Sequence, residues 1–319
     1  MTERYEKWGT TVRWSRNRTG ESRLQLEEHG IATATDSLFE SHSLPLAPSG
    51  SSTISVELPS IGLIAIEPFV ERFVLTGGVA THQLEGGGTR RSWTTNHQRL
   101  HLALRHGAHR VELHLGTNGD SLTAITDTIS ATAAALASSD RLERTWRTPV
   151  VLEPGVAAGF WKTIFFSPAS RSLLRSGLVV EQRPRHATEV DGNGQAVLSV
   201  DLSENERPPN VFRPSYRTPP VRLPLNLSVT HRRDRVEGAI RAIAFTHPPE
   251  LTLDGFLETG MLCVDAVSGR SFRASVQIPP GDFCERIEGI SRDLIWYPEM
   301  AGIFGSDSLA ELELRPGTD

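Results

Sequence analysis

This sequence holds little of what usually marks a function. It has only two cysteines, Cys263 and Cys284. Both sit in apolar surroundings with no second Cys or His at ligand spacing, so they make no disulfide framework, and buried reduced thiols are expected over metal or redox use. Lysine is almost absent. Only Lys7 and Lys162 stand among 33 basic side chains, and the rest are arginine. The net charge of −5 lacks the general basic bias of a nucleic-acid binder. No apolar run is long enough to span a bilayer as a helix, and the opening MTERYEKWGTTVRWSR has no apolar secretory core. A cytoplasmic protein is therefore expected, with no membrane partner.

Catalytic motifs are missing too. There is no Gly-x-Ser-x-Gly elbow and no zinc-protease helix motif. Gly86-Gly87-Gly88 lacks the Lys-Ser or Lys-Thr of a phosphate loop and reads as a hairpin tip. Asp191-Gly192-Asn193-Gly194 lacks the later acidic ligands of a calcium loop and reads as a turn. No cofactor is implied.

What the sequence does carry is alternation. In Arg99 to Gly116, RLHLALRHGAHRVELHLG, apolar and polar residues alternate on both sides of Gly107-Ala108, the signature of a β-hairpin with a two-residue loop. The implied register sets Leu104 against Val111, Leu102 against Leu113 and Leu100 against Leu115, giving one apolar face that must lie on a core. The other face opposes His101 to His114 and Arg105 to Arg110, with Glu112 diagonal to His101. Two imidazoles and a carboxylate on one sheet face could hold a metal ion or move a proton, so His101, His114 and Glu112 are the candidate catalytic and metal-binding residues. The competing reading is a solvated outer face, which the opposed arginines favour.

Two further hairpins are expected. One joins Val221–Val229 to Val236–Phe245 around Arg233-Asp234, and the other joins Met261–Val267 to Arg270–Ile278 around Ser268-Gly269. A long central helix is expected from Asp120 to about Arg144, with Leu122, Ile125, Ile129, Ala133 and Leu136 on one stripe. A shorter C-terminal helix should start at the capping box of Asp282 and Glu285 and run through Leu294. The run GFWKTIFF (159–166) reads as buried strand, Ser203 to Pro220 as a proline-rich connection, and the tail after Leu314 as frayed.

The chain is thus expected to be mainly β, with antiparallel sandwich- or barrel-like sheets built from hairpins. The division is a lobe at 1–147 ending in the long helix and a second lobe at 148–319. The leading functional expectation is a non-catalytic binding or structural subunit of a larger assembly, touching a protein partner or a second copy of itself. One alternative is an enzyme or metal-binding protein using His101, His114 and Glu112. Another is a nucleic-acid-associated protein using local arginine clusters such as Arg232–Arg235, which the net charge disfavours.

Overall fold

A computed structural model describes residues 3–16, 22–37, 40–45, 70–86, 89–116, 122–167, 176–183, 200–201, 227–297 and 303–317. In chain order, the first strands are β1 (Glu3–Arg16), β2 (Ser22–Ser37), β3 (Glu40–Pro45), β4 (Val70–Gly86), β5 (Thr89–His106) and β6 (His109–Gly116). The central part holds helix α1 (Leu122–Ala137), β7 (Asp140–Arg141), β8 (Trp146–Leu152), helix α2 (Pro154–Phe165), β9 (Val179–Gln182) and β10 (Val200–Asp201). It continues with β11 (Leu227–Thr230), β12 (Ile240–Leu251), β13 (Leu257–Asp265), β14 (Ser271–Ile278) and helix α3 (Pro280–Glu285). The last elements are β15 (Ile287–Ile290), β16 (Ile295–Tyr297), β17 (Ile303–Gly305) and β18 (Ser308–Pro316).

The protein is mainly β. Strands β12, β13, β14, β18 and β8 pair in a closed circuit, because β12 bonds to both β13 and β8, and this makes a five-stranded barrel. From β12 the same sheet continues outward through β6, β5, β4, β1 and β2 to β3. A second, five-stranded sheet has the order β10-β9-β11-β17-β16. The sheets are mixed, which corrects the expectation of purely antiparallel pairing: β8 runs parallel to β12, β11 to β17 and β7 to β14. Parallel neighbours need a long crossover. Between β8 and β12 the chain goes through α2 and the second sheet before it returns.

The first hairpin has the register read from the sequence, with Leu104 opposite Val111, Leu102 opposite Leu113 and His101 opposite His114. Gly107 supplies the left-handed backbone of the tip, at φ +58°. The third hairpin is also as expected: β13 pairs with β14 about Gly269, at φ +72°. Strands β1 and β2 are paired up to Arg16 with Ser22, and β4 and β5 up to Gly86 with Thr89. The tips themselves lie outside the described residues, as do 203–220 and Asp191–Gly194.

The second hairpin does not form. Strand β11 pairs with β9 and β17 in the small sheet, whereas β12 enters the barrel. Among the described residues the two segments hold strands at 227–230 and from Ile240 on, but alternation carried no information on which strand each would join. The run 159–166 is likewise helix, not strand. Pro154 occupies the first turn and small residues follow, and eight of the twelve residues of α2 are buried. A segment apolar on nearly every side shows no period that would separate a buried helix from a buried strand.

Helix α1 stops at Ala137, short of Arg144. The Ser138 and Ser139 hydroxyls donate to the last carbonyls, Ala134 O at 3.0 Å and Leu136 O at 2.9 Å, and the chain turns into β7. Helix α3 ends after six residues, because Ile287–Ile290 pairs with β18 instead of continuing the helix. The tail is paired to Pro316, opposite Ala274, so it is not frayed up to that point.

Two cores meet at β12 and β13. The first fills the barrel and surrounds α2, where the Phe160 ring stacks on Phe283 at 4.7 Å and Trp161 tilts onto Phe283 at 5.4 Å. Each of these aromatics contributes about 3–5 kcal/mol when tested by truncation to Ala. The second core joins Leu102, Leu104, Val111 and Leu113 of the hairpin to Ile129, Ala133 and Leu136 of α1, with Ala244 and Leu262 beneath. Strand β13 therefore sends Met261 and Cys263 into one core and Leu262 into the other. Burial on both faces explains why GMLCV shows no polar alternation. It also pushes the Cys263 thiol up to about 12, and burial does the same for Cys284. Neither is a reactive cysteine. Among the described residues, no helix is long and apolar enough to cross a membrane.

Helix α2 approaches its neighbours through glycine. A Cβ on Gly155 would stand 2.6 Å from the His114 carbonyl oxygen, and one on Gly159 would stand 2.6 Å from the Phe245 ring. A Cβ on Gly305 would land on the Pro154 carbonyl. Overpacking of a fixed backbone contact costs about 1–3 kcal/mol. Gly305→Ala should lower stability by that amount in urea unfolding, while Gly317→Ala, where a Cβ meets only ordinary contacts at 3.8 Å, leaves it unchanged. Equal stability of the two variants would show that α2 is not closely seated.

Candidate functional site

The polar face of the first hairpin is built by β5 and β6, whose apolar face is held down by α1. Register opposes His101 to His114, Ala103 to Glu112 and Arg105 to Arg110. The His101 side chain lies outside the described residues. His114 is half-buried. Its carbonyl lies under the first turn of α2 at Gly155, where the Tyr297 ring also approaches. This face is not the open, wet surface that the solvated reading expects. Ala103 has no exposed area, and only 15% of the Glu112 side chain is accessible. Covering by the second sheet is part of the reason, since β16 packs on β6.

Glu112 is engaged by a cation: Arg110 Nη2 lies 2.7 Å from its Oε1. That pair sets a guanidinium in competition with any metal for the carboxylate, while a carboxylate has lone pairs beyond the one it uses here. Among the described residues, no group of three His, Cys, Asp or Glu side chains is placed to hold a metal ion. The histidines beside the tip differ from each other. His106 is exposed, whereas His109 is half-buried with Arg273 Nη1 2.8 Å from its Nε2.

A second polar cluster closes the end of the barrel next to α2. Arg241 on β12 donates to Glu153 Oε1 at 3.1 Å and to Asp307 Oδ1 at 3.2 Å. The three residues come from β12, from the residue that precedes α2, and from the turn between β17 and β18. Burial is the main influence on Glu153 and raises its carboxyl above the usual range, although Arg241 opposes this. Burial works against the charge of Arg241, but Asp307 and Glu153 together outweigh it and hold the guanidinium protonated. The arrangement ties three chain segments together. Sequence reasoning did not find it, because the partners are 88 and 66 positions apart and no local spacing marks them.

With this geometry in hand, the chain can be set against known proteins. No family model and no curated protein matches its sequence. Its fold is similar to that of solved structures. TldE from Thermococcus kodakarensis superposes with a TM-score of 0.63 at 9% identity, over 99% of this chain and 97% of that one. A candidate modulator of DNA gyrase from Bacteroides thetaiotaomicron does so with a TM-score of 0.57 at 10% identity, over 99% and 94%. At such identities the likeness is one of fold alone.

The charged cluster has a measurable signature. Glu153, with its carboxyl already raised, stabilises the fold less as pH rises through its folded value and is neutral below it. Removing Arg241 deepens that penalty, so Arg241→Met should cost about 1–2 kcal/mol at pH 7, between exposed and buried pairs. The cost should shrink at pH 4. Urea unfolding of both proteins at the two pH values checks this, and an equal loss at both would refute the ion-pair account.

Proposed function

We propose that this chain is a non-catalytic binding or structural subunit that acts by contacting another protein or a second copy of itself, and that it works in the cytoplasm. The observation that carries this reading is the long ribbon of β1, β2, β4 and β5, with strands of 14 to 18 residues, ending on β3. Among the described residues β3 pairs only with β2, and a strand at the end of a sheet is a template for strand addition by a partner.

A second reading rests on the opposed register of His101 and His114, which would let two imidazoles share a metal ion or a proton. The Arg110–Glu112 ion pair weighs against it, because a guanidinium beside the carboxylate competes with and repels a metal cation there.

Two measurements separate these readings. Light scattering at micromolar concentration, with tagged purification from the native host and mass spectrometry, should give a defined oligomer or a stoichiometric protein partner. Ser43→Pro, which removes a backbone donor from β3, should weaken that association at least tenfold without unfolding the protein. A monodisperse monomer with no stoichiometric partner would overturn the subunit reading. Stoichiometric zinc in the purified protein, lost on His101→Ala, would establish the second.

A further inference from the structure

The connection between the two sheets, residues 231–237, reads HRRDRVE. It is a fixed loop. The Arg233 amide donates to His231 Nδ1 at 3.1 Å, and the Arg233 carbonyl accepts from the Ile290 amide at 3.0 Å. The loop lies so close on β15 that a Cβ on Gly289 would stand 2.7 Å from the Arg235 carbonyl oxygen. Part of its charge is neutralised on the spot. Asp234 pairs with Arg292 at 2.7 Å, and Arg235 pairs with Glu237 at 2.9 Å. Arg232 and Arg233 are exposed and have no ion pair among the described residues.

Resting on the subunit reading above, we propose that this loop is a docking point for an acidic segment of a partner protein, with Arg232 and Arg233 taking its carboxylates. Arginine offers a planar fork that binds a carboxylate through two parallel hydrogen bonds, and it is enriched where protein interfaces concentrate their binding energy. A loop already pinned by backbone contacts loses little freedom on binding. The internal pairs leave a site of two charges rather than a basic stripe. Together with a net charge of −5, this favours a short run of carboxylates over the continuous phosphates of a nucleic acid.

The test uses the full chain and a fluorescein-labelled peptide of alternating Glu and Gly, with a duplex DNA oligonucleotide as the second probe. Fluorescence anisotropy at low salt should show saturable peptide binding. Arg232→Glu/Arg233→Glu should weaken it at least tenfold with an unchanged melting temperature. Arg144→Glu/Lys162→Glu, which alters net charge equally at exposed sites elsewhere, should change it less than twofold. Absence of saturable binding, equal loss in the two variants, or preferential DNA binding lost with the loop arginines would overturn the inference. A partner found by purification that binds the loop variant unchanged would remove this docking point and leave the subunit reading intact.

Discussion

The described structure depends on how closely helix α2 sits against the barrel and the second sheet. Three glycines, Gly155, Gly159 and Gly305, set that distance, because a Cβ at any of them would meet backbone or a buried ring. With the helix so placed, Phe160 and Trp161 reach Phe283 and complete the barrel core. The same placement sets Glu153 within reach of Arg241 and lays the first turn of α2 on His114. Packing, the charged cluster and the cover over the hairpin face are therefore consequences of one contact. Close-packed interiors transmit such a constraint, since their elements cannot shift independently.

Local order was legible in the sequence and partner choice was not. The first and third hairpins follow from period-two alternation around a glycine with positive φ, and each pairs with its neighbour in the chain. The alternation of 221–229 and 236–245 is as regular. Yet β11 and β12 belong to different sheets, since their partners are distant in sequence. Helix α2 was hidden because a fully buried helix and a fully buried strand have the same uniform apolar pattern. The capping box at Asp282 marked a real helix start to within two residues, but the hydrogen bonds of β15 to β18 stopped it after six. Of the candidate site, the opposition of His101 and His114 could be read directly from register. The engagement of Glu112 by Arg110 and the covering of the face could not, because they depend on side-chain geometry and on chain from elsewhere.

Likeness in fold to TldE and to a candidate modulator of DNA gyrase extends over nearly the whole chain at 9–10% identity. An architecture kept at that distance reflects a pattern of buried and exposed positions rather than particular side chains. Function therefore has to be argued from individual features of this chain. Those that stand out present contacts: a sheet that, among the described residues, ends on a short strand, and a pinned loop holding two exposed arginines. The half-buried polar groups that are brought together, Arg110 with Glu112 and Arg241 with Glu153 and Asp307, form ion pairs with one another. That division of labour is what the proposed binding role rests on.

The seating of α2 is most directly measured by native-state hydrogen exchange. Amides of α2 should exchange in a single slow step together with those of β8 and β12, through global opening of the barrel. Early exchange of α2 while β8 and β12 stay protected would contradict the account, because the barrel would then stand without the helix.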